Sequence, residues 1–183
     1  MRRYWFPKAY ADVVARMRVP GGFVLAAAFI WLADPTPRSL AVGLPVALAG
    51  LLLRGWAAGH LAKNQWLASG GPYRHVRNPL YLGTLLAAAG LVIAARDAWL
   101  ALLFMLVFGL VYLPVIELEE QHLLTLFPEY EEYAARVPWL WPRLRPWGTP
   151  QRARWKLYRE NEEYQAALGL LAAATVLFWK AFR

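Results

Sequence analysis

The chain has 183 residues; 59% are hydrophobic and only 17% are charged, below the roughly 25% charged share of soluble domains. The net charge is +8, but the basic residues lie between apolar runs, which favours lipid head groups over nucleic acid as their partners. There is no cysteine, which excludes a disulfide framework, a thiolate metal site and a cysteine nucleophile. The composition predicts an integral membrane protein.

The apolar runs predict an all-α integral membrane fold with five transmembrane helices in a single membrane domain, 1–183. An interfacial N-terminal arm, 1–18, precedes the first span, and we expect its residues 4–18 to form an amphipathic helix in the membrane surface. Arg96 and Asp97 alone separate the third and fourth spans, which predicts a tight turn and an antiparallel hairpin. The spans are expected at about 19–33, 39–61, 79–95, 98–116 and 164–182.

Lys and Arg in the connections predict the orientation. They are frequent in the N-terminal arm, in 62–78 and in 117–163, and sparse in the alternate connections. The N-terminus and both longer connections are therefore expected on the cytoplasmic side. Within the second of these connections we expect a helix over 117–136 that is broken or kinked at Pro128, an interfacial segment 138–147, and a final helix that begins at Thr149-Pro150.

The sequence GGPYRHVRNPLYLG leads into the third span through a polar, cationic turn. Its two glycines and first proline prevent a helix from running through its start. Arg74, His75 and Arg77 then place three basic groups within four positions. Asn78-Pro79 predicts a helix start, because asparagine accepts a hydrogen bond at the cap and proline suits the first turn. We interpret this turn as the functional centre.

Polar residues near the end of the second span are further candidates. Arg54 and His60 lie within the predicted span, where ionisable groups are costly and usually face a cavity or the bundle interior. His60, Lys63 and Asn64 are spaced i, i+3, i+4 and would share one helix face as a polar wall for a ligand. Alternatively, Lys63 snorkels, Asn64 caps the helix end and His60 bonds a neighbouring carbonyl.

An acidic cluster, Glu117, Glu119 and Glu120, follows the fourth span on the side of the cationic turn. A solvated helix exit suffices for Glu117, whereas Glu119 or Glu120 would suit a cationic or hydroxyl-rich ligand. Charge neutralisation of Arg74 or Arg77 is the other use. No zinc-protease, phosphate-loop, dinucleotide or Ser-His-Asp motif is present, and three scattered histidines predict no metal site.

Two linked motifs resemble a known family. GPYRHVRNPLYLG resembles the G-P-Y-x-x-x-R-H-P-x-Y-x-G signature of the isoprenylcysteine carboxyl methyltransferase and phospholipid methyltransferase family of integral membrane enzymes. The acidic pair Glu119-Glu120, followed by Phe127, E-Y-x-x-Y and V-P, is similar to the second half of that signature. LLLRGWAAGHLAKN resembles the segment before it. The resemblance covers about 51–142, in the same order and spacing.

The resemblance implies S-adenosylmethionine as cofactor in a cytoplasmic-facing pocket, with a lipophilic acceptor entering from the bilayer. It implies that Arg77 lies next to the transferred methyl group or the acceptor. We assign Arg77 and Glu120 to catalysis, and Arg54 and Arg74 to the acceptor. The cofactor-binding residues that it implies are Tyr73, Asn78, Pro79, Leu80, Tyr81 and Glu119, with a weaker correspondence for His60, Lys63 and Asn64.

Three positions depart from the family pattern. Asn78 replaces the usual histidine, so a proton-transfer role there is lost. Pro128 stands where glycine is usual. Leu118 stands where many members have arginine, which puts recognition of a prenylcysteine carboxylate in doubt. The acceptor is therefore open: an isoprenoid carboxylate, a phospholipid amine or a similar amphiphile, in a membrane that we expect to be a prokaryotic plasma membrane.

The prediction is a membrane methyltransferase that uses S-adenosylmethionine on a lipophilic acceptor. The alternative is a non-enzymatic lipid-binding or small transport protein, in which the basic turn holds an anionic head group. A membrane reductase is a third interpretation, but no separate signal for a nicotinamide pocket accompanies it. The expected partners are bilayer lipids and a lipophilic small molecule, with no nucleic acid.

Overall fold

The structure is a computed structural model that describes residues 5–183, without the side chains of residues 18 and 19. The first four residues of the predicted interfacial arm lie outside this range. The described part contains helices and no strand, so the all-α prediction is confirmed. The α-helices are α1 (Lys8–Leu32), α2 (Pro37–Ala58), α3 (Pro79–Ala95), α4 (Ala98–Val107), α5 (Leu113–Leu126), α6 (Tyr130–Arg136), α7 (Trp155–Glu160) and α8 (Tyr164–Ala181).

Three helices of the described part are long and apolar enough to cross a membrane: Pro37–Ala58, Ala98–Leu126 and Tyr164–Ala181. The second of them comprises α4 and α5, which a π-helical turn joins. A fourth span results if α1 is counted as one, although its halves Lys8–Met17 and Pro20–Leu32 meet at 57°. The shorter helix α3, with 17 residues, lies at the lower limit of the roughly 17–25 residues of a span.

The short α3–α4 connection is the predicted tight turn. Arg96 adopts a left-handed backbone conformation with φ 56°. The Asp97 carboxylate then caps α4 by accepting from the Leu100 N–H at 2.8 Å. The predicted helix after the fourth span is also present, because α5 runs to Leu126 and α6 begins at Tyr130, on either side of Pro128.

The predicted end of the second span was wrong. Helix α2 ends at Ala58, so His60, Lys63 and Asn64 lie on a turn and share no helix face. Asn64 has a positive φ of 59°, which a helix does not allow. The physical reason is a tertiary cap: the Asn161 side chain donates to the carbonyls of Ala58 and Leu61 and thereby ends the helix early.

The predicted start of the last helix at Thr149-Pro150 was also wrong. Residues 137–154 are non-helical, and α7 begins at Trp155. The Arg154 N–H donates to the Gly59 carbonyl at 2.8 Å, which holds this segment against the end of α2. After α7 the chain turns at Asn161 and enters α8 at Tyr164.

Helices α2 and α3 pack along a seam of glycines. Gly43 and Gly50 on α2 face Gly90 and Gly83 on α3. A Cβ atom added at any of the four would lie less than 3.0 Å from atoms of the other helix, mostly backbone atoms. Such close approach maximises van der Waals contact, which drives helix association in membranes where lipid is as apolar as the side chains. The seam fixes the two helices whose ends frame the candidate site.

Candidate functional site

The cationic turn folds against the end of α2. Gly71 begins a 3₁₀ turn, Gly71–Arg74, with φ +51°, a conformation that favours glycine. The His60 ring packs directly on Gly71, and an added Cβ would lie less than 3.0 Å from three ring atoms. One His60 nitrogen lies 2.9 Å from the Trp56 carbonyl oxygen and the other 3.0 Å from that of Gln151. His60 thus joins three segments from behind the turn.

Two basic residues of the turn bind the interfacial segment that follows α6. The Arg74 guanidinium donates to the Trp147 carbonyl at 3.1 Å and to the Gly148 carbonyl at 2.8 Å. His75 Nδ1 lies 2.8 Å from the Arg143 carbonyl, and the Arg143 N–H donates to the His75 carbonyl at 2.9 Å. These basic side chains therefore bind backbone carbonyls of the chain itself, which the predicted ligand role of Arg74 did not include.

A cavity of about 550 Å³ opens on the other side of the turn. Its walls come from the end of α2, the 61–68 connection, the start of α3, and parts of α5 and α6, with two residues from just before α8. Three predicted site residues, His60, Arg74 and Glu120, lie outside its lining. The other ten are on it: Arg54, Lys63, Asn64, Tyr73, Arg77, Asn78, Pro79, Leu80, Tyr81 and Glu119.

The three glutamates of the acidic cluster have three different environments. Glu117 accepts hydrogen bonds from the backbone N–H groups of Trp5 and Phe6, at 2.6 and 3.0 Å, and so holds the start of the chain. Glu119 lies on the cavity and accepts from the Tyr81 hydroxyl at 2.6 Å. Glu120 lies outside the cavity lining and forms an ion pair with Arg77, which is on the lining.

Glu120 joins the two central residues of the turn. The Asn78 side-chain amide donates to Glu120 Oε1 at 3.0 Å and to the Trp139 carbonyl at 3.2 Å. The expectation that Asn78 accepts at the cap of α3 was therefore wrong, since its side chain makes no cap bond. Arg77 Nε approaches Oε1 to 3.2 Å without hydrogen-bond alignment, and its Nη1 donates to the Ala134 carbonyl.

Three buried tyrosines of the cavity lining stay protonated. Burial raises the pKa of Tyr73, Tyr130 and Tyr133 well above the ordinary 10.0, and for Tyr130 the nearby Glu120 carboxylate adds to the effect. The Tyr133 hydroxyl donates to the Tyr73 carbonyl at 2.8 Å. All three line the cavity as neutral phenols, so they offer hydrogen bonds and ring faces but no negative charge.

Arg54 is paired on the opposite wall. Its guanidinium forms a two-pronged ion pair with Glu163, with Nη2 and Oε2 at 3.0 Å, and donates to the Thr84 hydroxyl. Glu163 is 5% exposed and immediately precedes α8. Sequence reasoning missed this partner, although an arginine within a span requires one and Glu163 is among the few acids beside an apolar run.

Two charged groups of the lining differ from these paired ones. Lys63 is exposed at the cavity and makes no ion pair within the described part of the chain. Glu119 accepts from a neutral hydroxyl, and no described cation pairs with its carboxylate. The Tyr81 ring that holds Glu119 packs edge-on against Tyr112, with ring centroids 6.0 Å apart. Among the described residues, the cavity thus presents a cation without an ion pair, a carboxylate without a cationic partner, and several aromatic rings.

The family model described as phospholipid methyltransferase matches residues 41–130, about half of the chain. The protein belongs to the phospholipid methyltransferase family. The matched region runs from α2 to the first residue of α6 and therefore contains most of the cavity lining. Tyr133, Asn161 and Glu163 line the cavity from outside the match.

Two curated relatives of this phospholipid methyltransferase family member are named for metal resistance. The cobalt-zinc-cadmium resistance protein CzcN of Cupriavidus metallidurans is 37% identical over 105 residues, which cover 56% of this chain and 47% of the relative. The nickel-cobalt-cadmium resistance protein NccN of Alcaligenes xylosoxydans xylosoxydans is 35% identical over 105 residues, covering 56% and 48%. The matched part spans about half the length of these relatives. No solved structure matches the chain.

Proposed function

We propose that the protein transfers a methyl group from S-adenosylmethionine to a lipophilic acceptor at the cytoplasmic membrane face. The observation that carries the proposal is the shared cavity: the turn that contains Asn78 and the α5 helix that contains Glu119 belong to separate motifs, yet both line one space. Membership of the phospholipid methyltransferase family supports the reaction type. The proposal includes five spans, with α1 and α3 as the two additional ones, and a cytoplasmic N-terminus.

The residues of the cavity fit this cofactor. Its volume of about 550 Å³ lies within the roughly 300–1,000 Å³ of small-molecule sites. The cofactor carries a carboxylate, an amine, ribose hydroxyls and a sulfonium. Lys63 suits the carboxylate, Glu119 suits the amine or the hydroxyls, and the rings of Tyr73 and Tyr81 suit the sulfonium by cation–π attraction.

The chain's contribution is to position the reactants and to exclude water. S-adenosylmethionine supplies a methyl group on sulfur that is already activated for displacement, so placement of the acceptor accounts for much of the rate. Arg77, held by Glu120 and the Ala134 carbonyl, stands on the wall with little freedom to move. We assign Glu120 the role of a positioning residue, because it holds Arg77 and Asn78 from behind the lining.

Arg77 also bears on the nature of the acceptor. Its charge is compensated by Glu120, and a fixed guanidinium can orient a carboxylate acceptor through its fork of donors. An amine acceptor would have to lose a proton first, and Glu119 is the carboxylate on the lining without a cationic partner among the described residues. Both acceptor classes remain within the proposal.

Calorimetric titration of S-adenosylmethionine into the detergent-purified protein tests the cofactor. We expect micromolar affinity, which corresponds to about −8 kcal/mol. Lys63→Gln and Glu119→Gln should each weaken binding by about tenfold or more, because each removes a charge-assisted contact. Glu131→Gln, an exposed glutamate outside the cavity lining, is the matched control and should bind as the unaltered protein does.

The competing interpretation as a lipid-binding protein makes the opposite prediction. If folded wild-type protein binds neither the cofactor nor S-adenosylhomocysteine, in detergent and again in lipid nanodiscs, the methyltransferase proposal is contradicted. Binding without transfer of radiolabelled methyl groups into a lipid extract would retain the cofactor site and contradict the choice of acceptor.

A further inference from the structure

A second, wholly apolar concavity lies between α2 and α8. Its volume is about 460 Å³, and every lining residue is Leu, Ala or Pro. On its open side Leu48 is 50% and Leu171 is 64% exposed. Its lining includes Leu44, Leu48 and Leu51 of α2 and Ala167, Leu171 and Ala174 of α8.

Helices α2 and α8 contact each other at both ends of the groove. At one end Leu177 of α8 is fully buried in a cluster with Leu40 of α2. At the other end Glu163 is ion-paired to Arg54 of α2. Between these two contacts lies a shallow groove along α2 whose lining side chains are all aliphatic.

The groove ends at the wall of the polar cavity. Leu51 lies three residues before Arg54, and Ala167 lies four residues after Glu163, so each is one helical turn from the ion pair. Arg54 and Glu163 themselves line the polar cavity. The same ion pair therefore separates a polar space from an apolar one that is open to the bilayer. From Leu44 to Leu51 the groove extends about 10 Å along α2.

We propose that the groove between α2 and α8 binds the hydrocarbon chain of the amphiphilic acceptor, with its head group at the Arg54–Glu163 pair. An aliphatic chain suits a shallow groove lined only by Leu, Ala and Pro. A head group that emerges at the ion pair is already at the polar cavity. This assignment rests on the proposed function and adds to it the place and the chemistry of chain recognition.

The absence of cysteine from the sequence permits a direct test, because single cysteines can be labelled without background. We would attach a fluorophore at Ala174→Cys, in the groove, and at Ala172→Cys, which is exposed on the same helix two residues away. The labelled protein is placed in nanodiscs that contain increasing mole fractions of a brominated lipid as a quencher. The two probes are dibromostearic acid and a dibromostearoyl phosphatidylethanolamine, which distinguish a carboxylate from an amine head group.

A specific site gives saturable quenching at Ala174→Cys, whereas general lipid contact gives quenching that rises in proportion to the quencher at both positions. Adding Ala167→Phe to Ala174→Cys should raise the half-saturating fraction about tenfold, as expected when room for about two methylenes is lost. Leu168→Phe, on the exposed face, is the matched control and should change nothing.

Equal, non-saturable quenching at both positions would overturn the groove assignment. The cofactor titration is independent of it: saturable quenching without cofactor binding would retain the chain site and contradict the methyltransferase, and the converse result would contradict the groove alone. The probe that saturates first identifies the head-group class.

Discussion

The glycine seam and the polar cavity both involve α2 and α3, but different interactions hold the two regions together. The seam involves only α2 and α3, and its four glycines bring backbone against backbone with no ion pair. The cavity gathers side chains from α2, α3, α5, α6 and the approach to α8. In the seam, shape alone decides whether the helices pack. Around the cavity, stability depends on whether each buried charge has its partner.

Arg54 is the point at which the two regions meet. Its Cγ atom lies in the space that a side chain at Gly83 would need, while its guanidinium binds Glu163 and Thr84 at the cavity. The aliphatic part of Arg54 is therefore positioned by the seam, and its guanidinium by its partners at the cavity. Substitutions that affect one region and spare the other can separate these contributions.

The largest effect is expected in the seam. Gly50→Leu would place a branched side chain where even a Cβ atom lies less than 3.0 Å from the Ala87 backbone. Because the facing atoms are backbone and cannot rotate away, we expect loss of the folded protein, beyond the roughly 1–3 kcal/mol of ordinary overpacking. Size-exclusion profiles and thermal unfolding in detergent measure this.

Gly169→Ala is the matched control for the seam, since nothing lies within 4 Å of a Cβ at that position of α8. Alanine has the better helix propensity, so this variant should fold and gain up to about 1 kcal/mol. If Gly50→Leu folds as well as Gly169→Ala, the close packing of α2 on α3 is contradicted.

The second-largest effect is expected for the ion pair between Arg77 and Glu120. Glu120→Ala leaves the Arg77 guanidinium, 11% exposed, without its carboxylate, which should reduce the free energy of unfolding by about 3 kcal/mol. Replacing both residues by apolar ones of similar size, Arg77→Met with Glu120→Leu, should recover part of the loss. A double-mutant cycle compares the unfolding free energies of Arg77→Met, Glu120→Leu and the double variant, and so measures the coupling of the two residues. Additive losses would contradict the ion pair.

The tyrosines around the cavity predict a loss of stability at high pH. The pKa values of Tyr73, Tyr130 and Tyr133 are raised by burial above the ordinary 10.0. Their stabilising contribution is therefore complete below about pH 10 and declines as the pH rises above it, by about 1.4 kcal/mol per pH unit for each phenol that stays neutral. Melting temperatures measured at increasing pH should fall, and Tyr133→Phe should make the decline less steep. An unchanged slope in that variant would contradict the prediction.

The smallest effect on stability is expected for Lys63, an exposed charged residue of the cavity lining. Lys63 is exposed and makes no ion pair with any described residue, so Lys63→Gln should change the unfolding free energy by no more than about 0.5 kcal/mol. The same variant is expected to weaken cofactor binding. A large loss of stability would show that Lys63 belongs to the framework and not to the ligand site.

Much of the framework could be predicted from local patterns. The apolar runs predicted the helices, Arg96-Asp97 predicted the turn into α4, and Pro128 predicted the break before α6. The two motifs predicted membership of the phospholipid methyltransferase family. The glycine seam was missed, although its signal was present: on both helices the glycines are seven residues apart, which is close to two helical turns.

The site could be predicted only in part, because its charges are paired by tertiary contacts. The basic turn suggested a ligand site, yet Arg74 and His75 bind the 143–148 segment. The spacing of His60 and Lys63 suggested one helix face, but α2 ends before both of them. Neither outcome follows from the residues themselves, since each depends on a segment that returns from far along the chain.

By itself the sequence determined that this protein is helical and membrane-embedded and to which family it belongs, since hydropathy, turn residues and motifs are properties of neighbouring positions. The tertiary structure decided which polar groups face the cavity, which pair behind it, and where an apolar groove remains open. Arg54 and Glu163 are 109 positions apart and meet only because α8 packs back on α2. The partner of a buried charge is the oppositely charged group that the fold places next to it, and the order of residues along the chain does not determine which group that is.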